Sequence, residues 1–140
     1  GAVARMLAAD GRGVLVTYGP GEQELADAVV ASAGGAATAL APPSLQALAE
    51  VIGRASLFVA ADTGPLHLAA LVETPLLGLF GPKDPSIYGP YGVRADGTPG
   101  VLPVLTQDDV ACRPCTLRQC PDPLCMRTMA PERVYEALMP

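Results

Sequence analysis

At 140 residues, 50% of them hydrophobic and 16% charged, the chain has the material for one domain with one core, which excludes a disordered chain. Its formal charge of -5 and pI near 4.6 give no basic footprint for a nucleic-acid backbone or an anionic membrane, so any anion it binds must be held locally. Aromatics make up 4% and tryptophan is absent, which leaves Ala, Leu and Val to build a core of closely packed helix-on-sheet layers.

In chain order, the pattern predicts a helix over residues 2–9 ended at Gly11, a buried strand from Val14 to Tyr18, and a GPG turn into a helix from about Glu22 to Ala33. A second strand is expected near Ala37 to Ala41. Pro42-Pro43-Ser44 stops it and caps a helix from Leu45 to about Arg54. A strand from Ser56 to Ala60, a helix opening near Pro65 and a strand from Leu76 to Phe80 complete a β-α-β-α-β-α-β order. Unbroken apolar strands joined by helices imply a Rossmann-like α/β fold, a parallel sheet with helices on both faces. Ligands of such sheets lie at the carboxyl ends of the strands, here Gly19-Pro20-Gly21-Glu22, Ala61-Asp62-Thr63-Gly64 and Gly81-Pro82-Lys83-Asp84.

Past Phe80 the sequence is turn-rich: residues 81–127 read mostly as loop, with VLPVL as one short edge strand, and PERVYEALM reads as a closing helix with Pro131 at its start. The expected organisation is a single domain over residues 1–140 with a cysteine-bearing loop at 106–130. No apolar run approaches the roughly 18 residues of a spanning helix, and GAVARMLAADGRG has no signal-peptide pattern. A cytoplasmic chain is therefore the expectation. Because VARMLAAD reads as the end of a helix, the chain is also expected to be a piece of something longer. The excess of arginine over lysine, Lys83 being the only lysine, is read as base composition and carries no function.

The stretch AADTGPLHLAA places the one histidine of the chain in the first turn of a helix that follows a strand. Pro65 at the first helical position leaves the backbone N–H groups after Gly64 pointing outward, and such a helix start holds anions. Gly64 lets backbone approach a phosphate, the Thr63 hydroxyl can donate to one, and His67 can add a charge-assisted hydrogen bond. A purely structural reading stands beside this one: Asp62 or Thr63 as an ordinary N-cap, His67 packed beside Leu66 and Leu68.

The longer stretch AADTGPLHLAALVETPLLGLFGPKDPSIYGPYG closely resembles the donor-binding motif of the bacterial heptosyltransferases, glycosyltransferase family 9. Their pattern is D-[ST]-G-P-x-H-L-A-A, then a strand preceded by proline, F-G-P-T-x-P and a G-P-Y/F-G turn. Asp62, Thr63, Gly64, Pro65, His67, Leu68, Ala69, Ala70, Pro75, Phe80, Gly81, Pro82, Pro85, Gly89 and Pro90 fit it. VLVTYGPGEQELADAV upstream, and the cysteines followed by PERV downstream, extend the resemblance over nearly the whole chain from Val14. Two departures stand out: Lys83, where Thr or Ser is more usual, and Glu73-Thr74, where glycine is common.

The resemblance implies the C-terminal, ADP-heptose-binding half of a two-domain GT-B enzyme, an inverting and metal-independent transferase acting on the lipopolysaccharide inner core. The other half would supply the lipid-linked acceptor site and the catalytic carboxylate, so no catalytic residue is assigned here. The chain would begin after the first strand of its half. Backbone N–H groups after Gly64, with Pro65 opening the helix and Thr63 and His67 beside it, would hold the diphosphate. Glu22 would accept from ribose hydroxyls, with Glu24 its competitor, or else complement its helix dipole. Asp62 would accept from heptose hydroxyls or orient the turn, and Lys83 would meet phosphate or lie in solvent. Asp84 and Asp96 read as turn residues. No cofactor beyond the donor, no nucleic acid and no transmembrane segment are implied, and the location would be cytoplasmic and peripheral at the inner membrane face.

Cys112, Cys115, Cys120 and Cys125 have the spacing C-x2-C-x4-C-x4-C, which can wrap a structural zinc or form a packed thiol cluster. Arg113, Arg118 and Arg127 alternate with them, either as a solvated face or against an acidic partner or lipid phosphate. A zinc-knuckle-like interaction module is therefore the non-enzyme alternative. Another sugar-nucleotide-binding GT-B protein, such as an epimerase preferring UDP, is the second alternative. The GPGEQE turn is not a dinucleotide fingerprint.

Overall fold

The structure, a computed structural model, describes residues 1–117 and 119–139. Its elements in chain order are α1 (Ala2–Ala9), β1 (Leu15–Thr17), α2 (Gln23–Ser32), β2 (Thr38–Leu40), α3 (Leu45–Gly53), β3 (Phe58–Ala61), α4 (Gly64–Leu71) and β4 (Leu76–Phe80). They continue with α5 (Pro85–Tyr88), β5 (Tyr91–Val93), β6 (Pro99–Val101), β7 (Val104–Thr106), α6 (Leu124–Arg127) and α7 (Pro131–Leu138). The elements expected through Phe80 are all present, with ends shifted by a residue or two. The parallel strands are divided between two compact units: residues 1–48 with the C-terminal segment from Pro131, and Ala49–Ala130.

In the first unit, α1 stops where Gly11 takes φ 77°, a left-handed conformation that suits glycine. β1 and β2 pair in parallel, Val16 opposite Ala39, joined by α2, which packs against both. Buried Ala4, Ala33 and Ala37 form the core with Val14, Val16 and Val30 around them. Small side chains suffice there because the helices lie close to the strands. The Arg5 guanidinium donates to the Ser32 carbonyl, and α7 packs on α1 with the Tyr135 hydroxyl donating to the Asp10 carboxylate.

The second unit is built on the parallel ladder β3-β4-β7. β4 lies in the middle, and its Leu76, Leu77 and Phe80 are buried, as an unbroken apolar run requires. Gly78 sits where an added Cβ would come within 3.0 Å of Leu66 on α4 and of Phe80, so the missing side chain lets α4 lie close to the sheet. Buried Thr74 donates its hydroxyl to the Ile52 carbonyl at 2.9 Å, which fastens the entry to β4 against the end of α3.

VLPVL is not one strand. Val101 ends β6, which pairs antiparallel with β5, whereas Val104 begins β7, which runs parallel to β4. Pro103 lies between them with no N–H to offer a ladder, while its carbonyl accepts from Gly78 at 3.0 Å. Residues 81–127 are accordingly less irregular than their turn-rich composition suggests: they hold α5, the β5-β6 hairpin, β7 and α6.

Candidate donor-binding site

The parallel register brings two predicted loop ends together. Ala61, the last residue of β3, lies opposite Leu79 of β4, so Asp62 and the Gly81-Pro82-Lys83-Asp84 loop leave the sheet side by side. Asp62 is largely enclosed, with 19% of its side chain exposed, and Lys83 Nζ lies 2.9 Å from its Oδ2. His67 Nε2, one turn into α4, is 3.9 Å from Oδ1 of the same carboxylate. The Lys83 ammonium also lies over the Tyr88 ring, 4.8 Å from its centre.

Thr63 stands at the N-cap of α4 with extended backbone, yet its side chain does not cap the helix. Its hydroxyl donates back to the Ala61 carbonyl at 3.2 Å. Asp62 does not cap either, because Lys83 takes its carboxylate. Neither side chain of the purely structural reading closes the helix start, which keeps its positive end directed outward beside Gly64 and Pro65. An Ala Cβ at Gly64 would meet nothing within 4 Å, so the approach to the backbone is open. Lys83 is half-exposed and partnered by Asp62 rather than by solvent alone.

Asp84 has a structural job. Its carboxylate caps α5 by accepting from Ser86 N at 2.9 Å, and hydrogen bonding from Ser86, assisted by the Arg113 charge, holds its pKa below the usual carboxylate value. Asp96 likewise accepts from the Thr98 N–H and hydroxyl in the turn of the hairpin, and those bonds lower its pKa.

Glu22 belongs to the first unit. It is the N-cap residue of α2, and its carboxylate accepts from Gly19 N at 2.8 Å, closing the GPGE turn. It borders a cleft at the end of β1 lined by Val16, Thr17, Tyr18, Leu25, Ala26 and Val29, an apolar floor with one carboxylate at its edge. Glu24 lies in the first turn of α2.

All four cysteine thiols are free. Cys112 and Cys120 are exposed and Cys125 is buried, and among the described residues no group of three or more His, Cys, Asp or Glu is placed to hold a metal ion. Arg127 pairs with Asp122 at 2.9 Å, and Arg118 lies outside the described residues. Arg113 departs from the solvated-face reading: only 9% of its side chain is exposed, and it is turned onto the loop that carries Lys83. Spacing gave no hint of this, because the contact joins residues 30 apart in sequence.

Among known proteins, the chain is 34% identical to lipopolysaccharide heptosyltransferase 1 of Pseudomonas aeruginosa, in a match covering 68% of this chain and 29% of the relative. It is 37% identical to lipopolysaccharide heptosyltransferase 3 of Escherichia coli, over 64% of this chain and 28% of that one. Thus it spans about three-tenths of the length of each of these two relatives. The solved structure of Escherichia coli ADP-heptose lps heptosyltransferase II superposes with a TM-score of 0.71 over 97% of this chain and 38% of that one, at 22% identity. That likeness establishes the α/β fold, in agreement with the GT-B expectation. With the family model for glycosyltransferase family 9 (heptosyltransferase) matching residues 1–117, the chain belongs to that family.

Proposed function

We propose that this chain is the donor-binding part of a heptosyltransferase that transfers heptose from ADP-heptose to the lipopolysaccharide inner core. The observation that carries the reading is the meeting of Asp62, His67 and Lys83 beside the N-terminus of α4, which no side chain caps. A diphosphate at that place would face the positive end of a helix, an imidazole and an ammonium. Those fixed donors suit a leaving group whose negative charge grows as the glycosidic bond to the donor breaks. They also support an inverting transfer without a metal ion.

In this reading Lys83 turns from Asp62 to the phosphates when donor binds. Asp62, released, accepts from sugar hydroxyls, while the Thr63 hydroxyl can leave the Ala61 carbonyl for a phosphate oxygen. The acceptor is a lipid-linked saccharide met through the part of the relatives outside the matched span, which puts the reaction at the cytoplasmic face of the inner membrane. Among the described residues no helix is long and apolar enough to cross it. The interaction-module alternative draws no support from the free, dispersed cysteines, nor the epimerase from relatives that are heptosyltransferases by name.

Calorimetric titration of ADP, UDP and GDP tests the reading. The wild-type chain should prefer ADP, and His67→Ala/Lys83→Ala, which removes the two cationic side chains facing the diphosphate, should weaken ADP by about tenfold or more, the usual worth of a hydrogen bond to a charged group. Equal affinity in the double variant would remove His67 and Lys83 from the site and, with them, the observation on which the reading rests.

A further inference from the structure

The loop that delivers Lys83 is held from behind by one short piece of the cysteine-bearing segment. Three consecutive carbonyls of the loop are engaged: Gly81 O accepts from Arg113 Nε, Pro82 O from Cys115 N at 2.7 Å, and Lys83 O from Arg113 Nη2 at 3.3 Å. Arg113 is in turn held by Asp108, which accepts from its Nη1 at 2.9 Å. On the same loop Gly81 has no room for a side chain, since a Cβ would lie 2.7 Å from Met126 and 3.4 Å from the Cys125 sulfur. The cysteine segment thus packs as a wedge behind the loop.

We propose that Arg113 is a positioning residue of the donor site, fixing the Gly81–Asp84 backbone so that the Lys83 ammonium meets Asp62. The Lys83–Asp62 pair is too weak to set the loop by itself: Lys83 is half-exposed, its stem is flexible, and solvent screens the attraction. A planar guanidinium can reach two carbonyls and a carboxylate at once, and a lysine ammonium on its flexible stem cannot reproduce that fork. The consequence for nucleotide binding rests on the donor-site reading above; the placement of Lys83 does not.

Lys83 is the only lysine of the wild-type chain, and its reaction with sulfosuccinimidyl acetate in the absence of nucleotide, assigned to the Lys83 site by peptide mass spectrometry in every variant, reports the pairing. Asp62→Ala sets the rate for an unpaired Lys83. Arg113→Lys, which keeps the positive charge, and Arg113→Ala should each raise the acetylation rate by about threefold, toward the Asp62→Ala rate. Combining either with Asp62→Ala should add nothing further. A wild-type acetylation rate in a folded Arg113 variant overturns the proposal. So does failure of both variants to fold, which would make Arg113 a residue of stability alone. With ADP, Arg113→Lys should lose affinity as Lys83→Ala does, and the double variant should be no weaker; additive losses would likewise overturn it. If the wild-type chain binds no ADP, the donor-site reading falls, and the acetylation rates still decide the role of Arg113.

Discussion

Glu73 has φ 57°, the one positive φ at a non-glycine position among the described residues. It follows α4, where Glu73 N donates to Ala70 O at 3.2 Å and Thr74 N to Ala69 O at 3.0 Å, the paired bonds of a helix closed by a left-handed residue. Glycine suits that place, which is why the departure from the family pattern at Glu73 has an energetic meaning. Glu73→Gly should raise stability by about 1 kcal/mol, read from urea midpoints at unchanged slope. Gly64 offers the opposite dissociation. With open space around its Cα, Gly64→Ala should change stability by less than about 1 kcal/mol, yet weaken ADP by about tenfold if phosphate packs against that backbone. An unchanged ADP affinity in a stable Gly64→Ala variant would place the phosphates elsewhere.

At the scale of elements, the packing of α7 on α1 carries a pH dependence. Tyr135 donates to Asp10, and that bond, followed by desolvation and the Asp10 charge, raises the phenol pKa above its usual value against the opposing effect of Arg12. A phenol whose pKa is higher folded than unfolded stabilises fully below the unfolded value, near 10, and loses that contribution as pH rises through the folded one. Ultraviolet titration should show a tyrosinate step above the ordinary range that Tyr135→Phe removes, and the variant should lose less stability than wild type on going to high pH. Of these elements, the helices and parallel strands through Phe80 were legible in the sequence because each carries its own period and its own stop. The Asp62–His67 neighbourhood was legible too, since both lie on one strand-to-helix turn. The β5-β6 hairpin was hidden: its strands have three residues each, and Pro99, Gly92 and Gly100 within them read as turn. Arg113 was hidden for a different reason, since tertiary register and not local pattern brings it to the Lys83 loop.

For the molecule as a whole, the decisive fact is that its match covers 29% of a curated relative and 38% of a solved heptosyltransferase structure. Inverting transfer needs a carboxylate or other base free to take the acceptor proton. Around the candidate site the carboxylates are committed otherwise: Asp62 pairs with Lys83 and, in the donor-site reading, passes to the sugar hydroxyls when donor binds, Asp84 caps α5, and Asp108 accepts from Arg113 and from the Thr106 hydroxyl at 2.6 Å. Donor binding and transfer should therefore separate in this chain. ADP at about a hundred times its dissociation constant should stabilise the fold by about 2.7 kcal/mol, the mass-action value for one site. Under the same conditions ADP-heptose and a lipid-linked acceptor should give no mass-shifted product. Ligand-dependent stabilisation without turnover is the outcome expected of a donor half. Turnover by these residues alone would mean that one of the committed carboxylates leaves its partner to act as the base, and single Asn substitutions at Asp62, Asp84 and Asp108 would identify it.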